Sequence, residues 1–165
     1  NLEIGMKRGE MLRTMAVENW AEYFIGIGRD QNEVFKAKSK FAELDPQNAS
    51  AFWGDTERLL PSITDRTIDN FFLVLPERSA PVSAEGWASF RAMLSALGKK
   101  LVGGGTVRIL TDVETDSPVF NELVQIAEQT NFERTSNSRS YFPDGWRDPE
   151  FKAGNKPHVI ALALK

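Results

Sequence analysis

The fold is decided by Ile68-Asp69-Asn70-Phe71-Phe72-Leu73-Val74-Leu75, a run whose second half is entirely apolar and which Pro76 follows. A strand that is covered on both faces has a nearly continuous apolar sequence, because neither face needs polar residues at alternate positions. Strands of this kind belong to parallel sheets with helices packed on each side. We therefore expect strands and helices to alternate along the rest of the chain.

Outward from this strand, apolar runs do alternate with segments of helical periodicity. The runs predicted to be strands are Leu2–Ile4, Tyr23–Ile27, Ala49–Trp53, Thr106–Leu110, Phe132–Ser136 and His158–Leu164. The segments predicted to be helices are Gly9–Asn19, Gln31–Leu44, Thr56–Leu60, Ala84–Leu101 and Val119–Gln129. A long loop is predicted between Ser138 and Lys156. This order predicts an α/β fold with a doubly wound, mostly parallel sheet, helices on both faces and an antiparallel terminal strand pair.

Several finer expectations follow from local patterns. The run Gly103-Gly104-Gly105 is predicted to cap the helix before it, because glycine is the usual residue at a helix C-terminus. Phe35 is placed on the apolar face of its helix by its spacing. Trp53, Trp87 and Phe90 are interpreted as core residues rather than as platforms on which a base stacks.

Length and composition favour one compact domain over residues 1–165, since 41% of the 165 residues are hydrophobic and no linker-like tract occurs. The chain starts at Asn1 without Met, within a strand, so we expect a segment to precede it. The longest apolar runs are much shorter than the roughly 20 residues that span a bilayer, so no membrane span is expected.

Charge and cysteine content exclude further classes. The net charge of −3 argues against DNA binding, although basic residues are concentrated in the first quarter; these are interpreted as a solvated helix face, with a local basic patch left open. There is no cysteine, and the single histidine, His158, has no carboxylate cluster at metal-ligand spacing, so no metal is expected. The cytoplasm is the expected compartment.

In a doubly wound sheet the ligand lies at the carboxyl ends of the strands. That rule places the site at Gly5–Gly9, Gly26–Asp30, Gly54–Thr56, Pro76–Trp87 and Thr111–Asp116.

Four of these strand ends carry recognisable motifs. They are Leu2-Glu3-Ile4-Gly5 with Gly9, Phe24-Ile25-Gly26-Ile27, Gly54-Asp55-Thr56 and Thr111-Asp112-Val113-Glu114. Further matching residues occur in the same order: Asn48, a Gly-Gly pair before the fifth strand, Phe151, Gly154, His158 and Ile160. In this order and spacing the chain resembles the transfer RNA (guanine-N7)-methyltransferase family along its whole length. The resemblance implies a Rossmann-like methyltransferase sheet, with S-adenosylmethionine as cofactor.

The resemblance also implies which residues hold this cofactor. They are Glu3, Gly5, Lys7, Gly9, Gly28, Asp55, Thr56 and Leu75. Lys7 stands where the family has the middle glycine of its first loop, and Gly28 stands where it has an acid that binds the ribose hydroxyls. Both changes make the pocket more positive, so we expect a weakened site for the sulfonium cation. The alternative is that Lys7 points to solvent and nothing changes.

On the acceptor side, the resemblance assigns the guanine to Glu77, Thr111, Asp112 and Glu114. Glu77 replaces the aspartate of the family motif Phe-Pro-Asp-Pro-Trp, and the basic residues that follow that motif are missing here. Thr111 and Asp112 could instead cap a helix or satisfy the strand end, and Glu114 considered alone could be solvated.

The reaction implied is methyl transfer to a guanine nitrogen, which needs positioning more than acid–base help because N7 carries a free lone pair. The acceptor would be tRNA or another guanine-containing molecule. Two alternatives stay open: a non-catalytic relative that binds a protein, a nucleotide or RNA, and a methyltransferase retargeted to a small molecule.

Overall fold

A computed structural model describes residues 1–45, 47–76, 79–135 and 158–165 of the chain. These residues belong to two compact units, one formed by residues 1–62 and the other by residues 63–135 with 158–165. The predicted loop between Ser138 and Lys156, and the candidate residue Glu77, lie outside the described residues.

The first unit alternates strands and helices. Its elements are β1 (Leu2–Ile4), α1 (Glu10–Glu18), β2 (Phe24–Gly28), α2 (Gln31–Phe41), β3 (Ala49–Trp53) and α3 (Thr56–Leu59), followed by a 3₁₀ turn at Leu60–Ser62. β2 pairs in parallel with β1 and with β3. The predicted βαβ alternation is therefore present, and three parallel strands end at one edge of this sheet.

The second unit continues the alternation and then reverses direction. Its elements are β4 (Ile68–Leu75), α4 (Ala84–Lys100), β5 (Leu101–Thr111), α5 (Pro118–Gln129), β6 (Phe132–Arg134) and β7 (His158–Leu164). β4 and β5 are parallel, whereas β7 is antiparallel to both β5 and β6. The neighbours Phe71 and Phe72 of β4 are both fully buried, as expected of a strand covered on both faces.

In α4 the predicted core residue Phe90 is buried and Trp87 is half-buried. In α2, Val34, Ala37 and Phe41 are buried, but Phe35 is 62% exposed, so its placement on the apolar face was wrong. The buried residues follow steps of three and four, and Phe35 lies about 100° around the helix from Val34. The helix begins where the side chain of Asp30 accepts a hydrogen bond from Glu33 N, at 3.0 Å.

The glycine run does not cap a helix. α4 ends at Lys100, β5 begins at once with Leu101, and Gly103-Gly104-Gly105 lie inside the strand. The register steps from Ile68↔Leu101 to Asn70↔Thr106, so residues 102–105 bulge out opposite Asp69 alone. A Cβ atom at Gly105 would lie 2.9 Å from the carbonyl oxygen of Asp69, and this close approach explains the glycine.

Two further findings concern the described residues only. None of their helices has both the length and the apolar character required to cross a bilayer. None of their His, Asp and Glu side chains gather in a group of three or more that could hold a metal ion.

Candidate functional site

The loop after β1 runs across the end of β2. The backbone N–H groups of Gly5 and Met6 both donate to the carbonyl oxygen of Ile27, at 3.1 and 2.9 Å. Gly5 has φ +81°, and a Cβ atom placed on it would meet nothing within 4 Å. Gly5 therefore leaves an open surface that a ligand can approach closely, as the resemblance implies.

Gly28, at the end of β2, has no such space. A Cβ atom there would overlap the carbonyl oxygen of Met6 and lie 3.0 Å from Cγ2 of Val34. Met6 is only 2% exposed, and its side chain fills the space above Gly26. An acid at position 28 would therefore require the first loop to move away. On the ribose side the chain therefore lacks the carboxylate that the resemblance implies for an adenosyl group.

Gly9 serves the packing of helices. It is the N-cap of α1 with φ +69°, and a Cβ atom on it would lie 2.7 Å from Cζ of Phe41 and 2.9 Å from Cβ of Ala37. At Gly9 the loop after β1 therefore packs against α2. Lys7, between the two glycines, is half-buried.

Asp55, at the carboxyl end of β3, is paired with arginine. Its Oδ1 lies 2.8 Å from Nε of Arg29, and its Oδ2 lies 3.9 Å from Nε of Arg58. Thr56, the next residue, begins α3 and is buried. The carboxylate that the resemblance assigns to the adenine amine is therefore present but already contacts two cations of the chain.

Trp53 was predicted to be a core residue, and this was wrong. Its side chain is 57% exposed, while its indole Nε1 donates to the carbonyl oxygen of Arg29 at 2.9 Å. Among the described strands, β3 pairs only with β2, so its last residues are not covered by another strand. A cavity of about 330 Å³ opens beside the indole; it is lined by Arg29, Trp53, Gly54, Asp55, Arg58 and Leu59.

The sequence analysis included Arg29 in a predicted strand end of the site, but it assigned no role to Arg29 or to Arg58. A signal was present, because Arg29 directly follows the glycine that replaces the family's acid, and Arg58 lies three residues after Asp55. On a helix, a side chain three residues from a carboxylate is close enough to pair with it.

Two other donor-side candidates lie within strands. Glu3 of β1 is 4% exposed and stands opposite Gly26 of β2 in the register. Leu75, the last residue of β4, is half-buried and stands opposite Thr111 of β5.

The acceptor-side candidates divide into buried and exposed residues. Thr111 and Asp112 are fully buried, and Thr111 Oγ1 accepts a hydrogen bond from Val113 N at 3.2 Å. This bond satisfies the N–H group of Val113, just beyond the end of β5. Glu114 is exposed, in the turn where its carbonyl oxygen accepts from Ser117 N at 3.0 Å.

Comparison with solved structures defines the fold. The chain is similar to TrmN from Thermus thermophilus (TM-score 0.69, 14% identity, 99% of this chain and 43% of that chain). It is also similar to a methyltransferase from Pyrococcus furiosus (0.67, 16%, 98% and 73%) and to a TehB-like SAM-dependent methyltransferase from Corynebacterium glutamicum (0.64, 18%, 99% and 78%). The fold is that of the Rossmann-like, S-adenosylmethionine-dependent methyltransferases, so the predicted fold class is confirmed.

The family is shown by sequence. Residues 1–156 match the model of the methyltransferase family described as "Putative methyltransferase", and the chain belongs to that family. A tRNA (guanine-N(7)-)-methyltransferase of Agrobacterium fabrum is 29% identical over 156 residues, which are 90% of this chain. The match spans 62% of that relative's length. The resemblance found in the motifs is thereby confirmed.

Proposed function

We propose that this chain is a divergent S-adenosylmethionine-dependent methyltransferase domain that methylates a guanine-type nitrogen, with tRNA as the acceptor class. The observation that carries the proposal is the place of Asp55. This carboxylate stands at the carboxyl end of β3, its side chain 45% exposed, on a cavity of about 330 Å³. Ligands of doubly wound sheets bind at this edge. We expect a protein that modifies tRNA to act in the cytoplasm.

The acceptor side supports the same reaction through positioning. A guanine N7 has a free lone pair, so the chain needs to hold the base in line rather than to remove a proton. Exposed Glu114 is the carboxylate open to the N1 and exocyclic amine hydrogens of a guanine. Thr111 and Asp112 are buried before it in the chain, and Thr111 Oγ1 accepts from Val113 N in the turn that leads to Glu114.

The donor side supports a weakened site. S-adenosylmethionine supplies the methyl group when it is bound. Gly5, through its open backbone, and Asp55, through its carboxylate, are the residues that would contact it. Gly28 offers no carboxylate to the ribose hydroxyls, and each lost hydrogen bond of this kind weakens binding. Arg29 and Arg58 also add positive charge next to Asp55, which disfavours a cationic ligand.

Calorimetric titration with S-adenosylmethionine and S-adenosylhomocysteine tests the donor site. We expect saturable one-site binding with a Kd between about 1 μM and 1 mM, which corresponds to about −8 to −4 kcal/mol. The absence of heat for both ligands at millimolar concentration would overturn the proposal.

Methyl transfer to an unmodified tRNA transcript tests the acceptor. The matched control is a transcript made with 7-deazaguanosine, in which carbon replaces N7. We expect methylated guanine in the first transcript and none in the second, measured by mass spectrometry of the digested nucleosides. Equal labelling of both transcripts would rule out N7 as the acceptor.

A second candidate function is a methyltransferase-fold module that binds its partner without catalysis. The position of Met6 favours it, because the carbonyl oxygen of this residue takes up the space that a side chain at Gly28 requires. Binding of tRNA without binding of S-adenosylmethionine would support this candidate over the first.

A further inference from the structure

At the end of β2, a glycine and an arginine stand where an acidic side chain is expected. In nucleotide-binding sheets an acid at this place accepts from the ribose hydroxyls, whereas a neighbouring arginine accommodates a phosphate on the ribose. Here the strand ends with Gly28, whose Cβ space is taken by the carbonyl oxygen of Met6, and Arg29 follows. Position 28 therefore offers no side-chain acceptor to a ribose diol, and the next residue carries a guanidinium.

The residues that line the cavity carry two positive charges and one negative charge. Arg29 and Arg58 are 72% and 87% exposed, and the one carboxylate among the residues lining the cavity is Asp55. Asp55 contacts both guanidiniums at Nε, so their terminal nitrogens remain for a second anion. Asp30, the next acid along the chain, is turned to the N-terminus of α2 through its bond from Glu33 N. A guanidinium binds phosphate through paired N–H groups.

Trp53 adds an aromatic surface to this charge. Its indole is held at one edge by the bond from Nε1 to the carbonyl oxygen of Arg29, yet more than half of the side chain is exposed. Trp20 and Phe35 are also exposed, but Trp53 is the aromatic side chain among the residues that line this cavity. Fixed, exposed aromatic rings are the platforms on which nucleic-acid bases stack.

We propose that the cavity between β2, β3 and α3 binds a nucleotide that carries a phosphate on its ribose. The phosphate contacts Arg29 and Arg58, and the base stacks on Trp53. A volume of about 330 Å³ lies at the small end of ligand pockets, so it suits a single nucleotide. This inference goes beyond methyl transfer and does not require the chain to bind S-adenosylmethionine.

The test is calorimetric titration of the whole chain with adenosine, adenosine 2′-monophosphate, adenosine 3′-monophosphate and a short single-stranded RNA. We expect at least one ribose phosphate, free or within the RNA, to bind on the order of tenfold more tightly than adenosine, as a charge-assisted hydrogen bond predicts. The difference should shrink as salt concentration rises. A gain with the mononucleotides identifies a free nucleotide as the source, and a gain with the RNA alone identifies RNA.

Three variants locate the binding. Arg29→Gln should reduce the gain from the phosphate, and Trp53→Leu should weaken the binding of adenosine and of its phosphates alike. Arg91→Gln is the matched control, since Arg91 is an exposed arginine of α4 outside the cavity. Circular dichroism should show that all three variants fold.

Equal affinity for adenosine and for every phosphate would overturn the inference, and so would an equal loss in Arg29→Gln and Arg91→Gln. Failure of the proposed methyltransferase function has a different signature. A nucleotide that binds through Arg29 while S-adenosylmethionine does not bind leaves this inference standing, and the reverse result leaves only the methyltransferase.

Discussion

The Nε atom of Arg29 lies 2.8 Å from Oδ1 of Asp55, so one cation of the chain occupies the carboxylate that we propose for the methyl donor. An adenine amine must compete with this pair for the same oxygen. The pair is largely exposed, and exposed ion pairs contribute at most about 1 kcal/mol. A ligand can therefore displace Arg29 at modest cost.

Replacing Arg29 with Gln should therefore strengthen the binding of S-adenosylmethionine. The variant frees Asp55 and removes a positive charge near a cationic ligand, and we expect a Kd lower by up to about fivefold, the equivalent of about 1 kcal/mol. Calorimetric titration measures it. Arg58→Gln is the control and should change the Kd less, since Arg58 lies 3.9 Å from the carboxylate and is more exposed. A weaker donor affinity in Arg29→Gln would contradict the argument.

A side chain at position 28 should destabilise the fold. In Gly28→Ala the new methyl group overlaps the carbonyl oxygen of Met6, and overpacking of this kind costs about 1–3 kcal/mol. Gly103→Ala is the matched control, because a Cβ atom there meets nothing within 4 Å. Urea denaturation of the two variants gives the difference in the free energy of unfolding. Equal stabilities would mean that the first loop moves freely away from β2.

The sequence allowed most of the fold to be predicted because its signals are local. The bounds of β3, β4 and β7 agree with the predicted ones, since each is an apolar run flanked by turn residues. The bulge of β5 could not be predicted, because it depends on the register between β5 and β4, which lie far apart in sequence. A run of glycines such as Gly103–Gly105 is compatible with a helix cap and with a bulge, so composition does not distinguish the two.

The candidate site was predictable in its positions but not in its interactions. The resemblance assigned Asp55 and Gly28 to the donor site from their places at strand ends, and this assignment stays a prediction. The exposure of Trp53 depends on the strand β3 having a neighbour on one side only, and an apolar residue at a strand end does not reveal this. The pairing of Arg29 with Asp55 depends on the parallel register of β2 and β3.

The acceptor role predicts different effects for two neighbouring carboxylates. Glu114→Gln removes the charge of an exposed side chain, so we expect kcat/KM for tRNA to fall by on the order of tenfold to a hundredfold with no change in Tm. Asp112→Asn alters a fully buried group and should lower Tm as well. Asp116→Asn, exposed nearby, is the control for both assays. Unchanged kcat/KM in Glu114→Gln would remove it from the site.

One ion pair of the second unit should make stability depend on pH. Lys100 Nζ lies 2.6 Å from Oδ1 of Asp65, and this hydrogen bond, with the charge of Lys100, lowers the pKa of Asp65 below its usual 3.8. A lowered pKa stabilises the fold above pH 3.8, and this contribution disappears as the pH falls through the lowered value. Asp65→Asn should thus be less stable than wild type at pH 7 and equally stable in strong acid, by urea midpoints. Asp116→Asn should show no such convergence.

Gly9 should prove to be a structural glycine rather than a ligand contact. Gly9→Ala combines a strained positive φ with a methyl group 2.7 Å from the ring of Phe41, so we expect a loss of about 2–4 kcal/mol in the free energy of unfolding. Gly104→Ala is the matched control, since Gly104 has φ +80° but nothing within 4 Å of its Cβ position, and it should lose only about 1–2 kcal/mol. The double variant Gly9→Ala/Phe41→Leu should lose less stability than the sum of its two single variants, because the smaller side chain relieves the contact. Additive losses would show that the ring of Phe41 does not restrict position 9.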